Sequence, residues 1–320
     1  MTLLLLALGL VLLVAGGELL VRGAVRLAQK FRISPLLIGL TLVGFGTSMP
    51  ELVTSVQAAF AGSPGIAVGN VVGSNLANIL LILGAAAVIN PVVIARETFK
   101  RDGIVLAAAT LMCVAAVLAG RLTPWIGALF VLSLAGYILF AFWQERRSNA
   151  AADAASGAAV SDAPKPSAAL ILVDLVFVAG GLLLTILGAR LLVSSAIEIA
   201  TQFHVSQTII GLTIVAVGTS LPELVTSVMA ALRKHGDIAF GNIVGSNIYN
   251  VLGILGVTAM VKPIDVPAEI ADFDVWVMLA ATVLLFIVAL SRWKITRLEG
   301  GTMLAGYVAY VGWLGLNAGV

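Results

Sequence analysis

The chain has 320 residues, 60% of them hydrophobic and 11% charged, and its mean hydropathy is +1.11. An ordinary soluble domain carries about 25% charged residues, and apolar runs of roughly 20 residues recur here from end to end, so the composition excludes a soluble globular protein and indicates a polytopic membrane protein. A net charge of +2 points to no nucleic-acid partner, and the lone Cys113 allows no intramolecular disulfide and supports no metal cluster.

Hydropathy predicts ten helices. The first, over 3–21, opens MTLLLL without the basic residues that begin a signal peptide, and is expected to be retained. The second, over 36–60, carries Gly44-Phe45-Gly46-Thr47-Ser48-Met49-Pro50-Glu51. Pro50 has no amide hydrogen and crowds the carbonyl of Gly46, while Gly44 and Gly46 loosen the same turn. This helix is therefore expected to kink or break, freeing carbonyls to face a bound cation. Thr47 and Ser48 lie four and three residues before Glu51 and share its face. The third helix, over 66–88, carries Gly73-Ser74-Asn75 and then Asn78; Ser74 and Asn78 share a face, and glycines 69, 73 and 84 permit close helix approach. The fourth and fifth span 103–120 and 124–143. Residues 144–167, rich in Ala, Ser and Pro, read as a flexible linker. Five more helices follow at 169–192, 207–232, 238–260, 273–291 and 302–319.

The second five restate the first. Segment 34–91 aligns without a gap with 206–263, 33 of the 58 positions being identical, and residue n corresponds to n + 172 throughout. Lys and Arg set the orientation: 15 of the 18 follow helices 1, 3, 5, 7 and 9, leaving only Arg121, Arg190 and Lys262 on the other side. The richer side is cytoplasmic by this rule, and both termini are expected to face outward. With five helices per copy, the second copy enters the membrane from the opposite face, so the repeats are expected to be inverted. The chain then divides into a first repeat at 1–143, a cytoplasmic linker at 144–167 and a second repeat at 168–320. The outward loop before the ninth helix carries Asp265, Glu269, Asp272 and Asp274, an acidic mouth or simply a loop that excludes positive charge.

Inverted halves bring Glu51 and Glu223 face to face at the midplane, with Thr47, Ser48, Thr219 and Ser220 around them. Ser74 and Ser246, Asn78 and Asn250, and loosened carbonyls complete the ring. Every donor is a hard oxygen; His204 and His235 both fall in loops. Such a set suits Ca²⁺, which takes six to eight oxygens at about 2.3–2.6 Å, and also Na⁺. Each part has a structural alternative: glycines pack, a lone Ser or Thr bonds its own helix, and a proline only kinks. The combination resists that reading, because packing does not require two copies of GTS-x-PELVTSV, each with a membrane-embedded carboxylate. Asn70 and Asn242 are expected to cap or brace the bent helices. Glu18 and Arg190, equivalent in the repeat, are expected near opposite faces and not paired.

These strings resemble the cation/calcium exchanger superfamily, and within it the prokaryotic sodium/calcium exchangers, over nearly the whole chain. The resemblance implies an all-α fold of ten helices in two inverted repeats, with helices 2 and 7 broken and helices 3 and 8 bent around a midplane site. It implies Ca²⁺ held by Glu51 and Glu223 with Thr47 and Thr219. Flanking Na⁺ positions would use Ser48, Ser74, Ser220 and Ser246 with carbonyls near Gly44 and Ala216, and Asn78 and Asn250 would border the central position. It further implies helices 1 and 6 sliding across a fixed core. Many prokaryotic relatives carry an acid where this chain has Asn250; the amide implies potassium-independent exchange and leaves open whether Na⁺ or H⁺ drives it. The expectation is thus a Na⁺/Ca²⁺ antiporter of the cell membrane, monomeric, not an enzyme and without cofactor, its partners being Ca²⁺, Na⁺ and the lipid bilayer. H⁺/Ca²⁺ exchange is the alternative, and a cation channel a weaker one.

Overall fold

A computed structural model describes residues 2–155, 168–202 and 216–317. Among the described residues the regular structure is helical apart from two minimal strand pairs. In order, α1 spans Thr2–Phe31, α2 Pro35–Thr47, α3 Met49–Phe60 and α4 Pro64–Ile89. Then come α5 over Arg96–Leu118, α6 over Pro124–Ala155 and α7 over Ala168–Gln202. The last are α8 over Ala216–Thr219, α9 over Leu221–Leu232, α10 over Gly236–Val261, α11 over Ile270–Arg292 and α12 over Arg297–Asn317. Among the described residues seven helices are long and apolar enough to cross a membrane, or eight when α2 and α3, bent by 43° at their junction, count as one. The predicted seventh helix is described only from Ala216, and the expectation for 207–215 lies outside the described residues. Helix α6 runs on to Ala155, so residues 144–155 of the expected flexible linker are helical, and α1 and α7 likewise run on to Phe31 and Gln202, past their predicted ends at 21 and 192, because nothing in those polar continuations breaks a helix.

The breaks fall where proline and glycine dictate. Ser48 interrupts α2 and α3 with φ −84° and ψ 7°, and Pro50 sits in the first turn of α3. Ser220 does the same between α8 and α9 with φ −90° and ψ 7°, ahead of Pro222. The sequence reading did not anticipate that α4 and α10 each loosen to a π-helical stretch, Ala77–Leu83 and Tyr249–Leu255, again at equivalent positions. Such wide turns are rare and concentrate at functional sites.

The centre of the molecule is α10, with every residue from Ile238 to Leu255 buried, and α4 beside it. Glycine makes this centre dense. A Cβ on Gly245 would lie 2.2 Å from the Leu40 carbonyl oxygen and one on Gly241 2.4 Å from that of Leu36, so α2 and α10 touch backbone to backbone. A second glycine seam joins α1 to α7: a Cβ on Gly16 would stand 2.6 Å from the Thr185 amide nitrogen, and one on Gly188 2.6 Å from that of Leu13. That pair is tied at both ends. Arg26 and Lys30 meet the buried Asp174 at one end, and Thr2 Oγ1 donates to Glu198 Oε1 at 2.9 Å at the other. Outward-facing Leu4, Leu132, Leu139, Leu172 and Leu298 are exposed, as lipid-facing side chains must be.

The loops sort into two poles. Strand β1 (Val92–Val93) pairs with β4 (Lys294–Ile295), β2 (Arg121–Leu122) with β3 (Ile264–Asp265). On the first pole Arg297 also donates to the Val88 carbonyl at 3.1 Å; on the second, Lys262 reaches the Phe60 carbonyl at 3.3 Å. Ends predicted to share a side therefore meet one another.

Candidate cation site

Glu51 in the first turn of α3 and Glu223 in the first turn of α9 are both buried, 1% exposed. Each receives a hydroxyl from the other copy. Ser48 Oγ donates to Glu223 Oε1 at 2.8 Å, and Ser220 Oγ to Glu51 Oε1 at 3.4 Å. These bonds are equivalent under the n + 172 relation, so the two carboxylates hang in one shared cage. Ser48 Oγ also lies 3.2 Å from Ser246 Oγ, and Ser246 Oγ is 3.5 Å from the Gly44 carbonyl oxygen. Thr47 is buried and bonds the Val43 carbonyl at 3.1 Å and Asn242 Oδ1 at 3.4 Å. Thr219 is half-buried, and Ser74 is buried on the wall of a cavity of about 450 Å³ that both residues line. Ala216 opens α8 just before the break.

Asn70 and Asn242 brace the carboxylate-bearing turns. Asn70 Nδ2 donates to the Glu51 carbonyl at 3.1 Å and Ser55 Oγ at 2.9 Å; Asn242 Nδ2 donates to the Glu223 carbonyl at 3.5 Å and Ser227 Oγ at 2.9 Å. Ser55 and Ser227 are thereby engaged in bracing.

Four more amides cross between α4 and α10, each pair joining a residue of one π-helical stretch to one just ahead of the other. Asn78 Nδ2 donates to Asn247 Oδ1 at 3.3 Å, and Asn250 Nδ2 to Asn75 Oδ1 at 3.0 Å. Helix α3 packs on the stretch holding Asn250, and α9 on the stretch holding Asn78. Asn75 and Asn247 had no role in the sequence reading beyond their place in the GSN motif; their doubling was the available signal. Glu51 Oε2, Glu223 Oε2, Asn78 Oδ1 and Asn250 Oδ1 are buried without a hydrogen-bond partner. Unpaired buried acceptors are costly, and four acceptors with two formal negative charges suit an oxygen-seeking cation as their partner.

Elsewhere, Glu18 pairs with Arg22 and Arg233 on one pole, while Arg190 lines a cavity of about 430 Å³ with Pro50, Thr54, Thr219 and Pro222. As expected, these two equivalents do not pair with each other.

A family model for the sodium/calcium exchanger protein matches residues 1–143 and 173–316. This chain belongs to the sodium/calcium exchanger family. The putative antiporter CaxA of Alkalimonas amylolytica is 39% identical over 94% of this chain and 95% of its own. The sodium/calcium exchanger MaX1 of Methanosarcina acetivorans is 34% identical over 96% and 97%. Among solved structures, the sodium-calcium exchanger NCX_Mj, soaked with 2.5 mM Na⁺ and 0.1 mM Ca²⁺, superposes with a TM-score of 0.82 at 30% identity over 97% of both chains. The chain is therefore a multi-pass membrane antiporter of the cation/Ca²⁺ exchanger kind.

Proposed function

We propose that this exchanger moves Ca²⁺ against Na⁺ through one midplane site built by both halves of the chain. The observation that carries this is the set of four buried, unpartnered oxygens on Glu51, Glu223, Asn78 and Asn250. Thr47 and Thr219 would add ligands to Ca²⁺, and Ser48, Ser74, Ser220 and Ser246 with carbonyls near Gly44 and Ala216 would hold Na⁺. Two carboxylates balance one Ca²⁺ or two Na⁺, so the ions compete, and the empty carrier, left with two uncompensated buried charges, is reluctant to reorient. That mutual exclusion is the coupling. The names of MaX1 and NCX_Mj support Na⁺ as the driving ion.

The paired bonds at n and n + 172 support a pseudo-twofold site. In this reading ten helices form two inverted repeats, 1–143 and 168–320, around a cytoplasmic linker at 144–167. Both termini lie outside a plasma membrane, the unit is a monomer, and exchange is independent of K⁺. Helices α1 and α7 slide against the rest to open the site to each side in turn. In proteoliposomes, an outward Na⁺ gradient drives ⁴⁵Ca²⁺ uptake in the native chain, and Glu51→Gln or Glu223→Gln abolishes it. Full uptake by either variant sinks the site assignment; uptake driven by a pH gradient with no response to Na⁺ replaces Na⁺ by H⁺.

A further inference from the structure

Asparagine is a poor choice for a cation site unless something fixes which end faces the ion. One end of its amide offers a carbonyl oxygen and the other two N–H donors, and the two ends have the same shape. Asn250 is 1% exposed and its orientation is set by a chain of contacts that begins at a backbone carbonyl. The Asn247 carbonyl can only accept. Asn75 Nδ2 therefore turns toward it, donating at 3.3 Å, with Met278 Sδ a second acceptor at 3.8 Å. That leaves Asn75 Oδ1 facing Asn250, which must answer with its Nδ2, at 3.0 Å. The only end of Asn250 left over is Oδ1, the buried atom without a partner. Reversing Asn250 would set two carbonyl oxygens against each other at hydrogen-bonding distance.

The opposite half lacks this anchor. Asn247 Oδ1 accepts from Asn78 Nδ2 at 3.3 Å, but Asn247 Nδ2 has no partner. Among the described residues no contact beyond Asn247 fixes the direction of that pair.

We infer that Asn75 is a positioning residue of the cation site: it relays the polarity of the Asn247 backbone carbonyl to Asn250, so that Asn250 presents oxygen to the ion. This rests on the cation site proposed above. A carboxylate at position 250 would need no such help, because both of its ends are oxygen. The relay is therefore the device by which this chain uses an amide at that place.

The test is a double-mutant cycle on Ca²⁺ binding, measured with ⁴⁵Ca²⁺ on the purified full chain in detergent. Asn75→Leu keeps the shape and removes the acceptor, so the dissociation constant rises about ten-fold, the value of one lost orienting hydrogen bond. In an Asn250→Asp background, whose own affinity serves as reference, adding Asn75→Leu changes the constant by less than about two-fold. An equal loss in both backgrounds makes Asn75 a packing residue and overturns the inference. No binding by the native chain overturns the cation site itself, a separable outcome. If Asn75→Leu does not fold, a Ca²⁺-loaded structure of the native chain decides: Asn250 Oδ1 on the ion with Nδ2 still on Asn75 supports the relay, and an Asn250 turned away from Asn75 ends it.

Discussion

At the scale of single residues, the two halves of the cage are alike in kind and unequal in strength. Ser48 reaches Glu223 at 2.8 Å and also Ser246, whereas Ser220 reaches Glu51 at 3.4 Å. A hydrogen bond to a charged acceptor contributes about 1.5–3 kcal/mol, falling as it lengthens. Ser48→Ala is therefore expected to raise half-saturating Ca²⁺ in proteoliposome uptake by about ten-fold, and Ser220→Ala by a clearly smaller factor. Equal effects would show that the inequality vanishes once the ion binds. Glu51, Glu223 and the paired hydroxyls were legible in the sequence because a carboxylate in an apolar run is expensive and its duplication is visible by eye. The partner of each was not. Offsets such as Ser48 to Glu223 cross between copies, and only the packing of α2 and α3 against α9 and α10 decides them. The roles of Asn75 and Asn247 were hidden for the same reason.

At the scale of elements, backbone contact replaces side-chain packing wherever the site must be tightly held. Helix α10 lies against α2 through Gly241 and Gly245, where an added Cβ would come within 2.4 and 2.2 Å of a carbonyl oxygen. Gly245→Ala must push the two helices apart, an overpacking cost of about 1–3 kcal/mol. The apparent melting temperature of the purified protein is expected to fall, with loss of Ca²⁺ binding because Ser246 and Gly44 separate. Gly136→Ala on α6, with no neighbour within 4 Å of its added Cβ, is the contrast. It replaces a poor helix former in mid-helix, so melting is expected to hold or rise. Hydropathy located the long apolar helices, since a bilayer demands length and apolarity, but stopped α1, α6 and α7 short, because their last turns are polar and hydropathy does not see a helix that continues past the apolar run. The prolines located the breaks at Ser48 and Ser220. The π-helical stretches had no signal, because both are buried on nearly every side, so there is no apolar stripe whose period a wider turn would visibly shift.

At the scale of the whole molecule, the contacts divide into those within the α1–α7 pair, proposed above to move as one, and those across its boundary. Helices α1 and α7 share a glycine seam and are tied at each end, by Arg26 and Lys30 to Asp174 and by Thr2 to Glu198. The two end contacts correspond, Arg26 to Glu198 and Thr2 to Asp174, under the same n + 172 relation. Among the described residues an ion pair leaves this pair of helices: Glu18 of α1 meets Arg233 just beyond α9, with Nε donating to Oε2 at 3.0 Å. Its equivalent is missing, since Arg190 and Ala61 occupy the corresponding positions. If α1 and α7 move as one against the site helices, a bridge inside the pair is harmless and a bridge across its boundary is not. Thr2→Cys with Glu198→Cys and, separately, Glu18→Cys with Arg233→Cys place thiols at contacts that a short, reducible bis-thiol reagent spans. The native Cys113 is fully buried and out of its reach. Bridging the first pair is expected to leave Na⁺-driven ⁴⁵Ca²⁺ uptake intact. Bridging the second is expected to stop uptake and reductant to restore it, while equilibrium Ca²⁺ binding persists because the bridge only fastens a contact already present, at the end of α9 far from Glu223. Uptake at the unbridged rate through a Glu18–Arg233 bridge would mean that α1 keeps its place against α9 during exchange, and the moving part would have to be sought elsewhere.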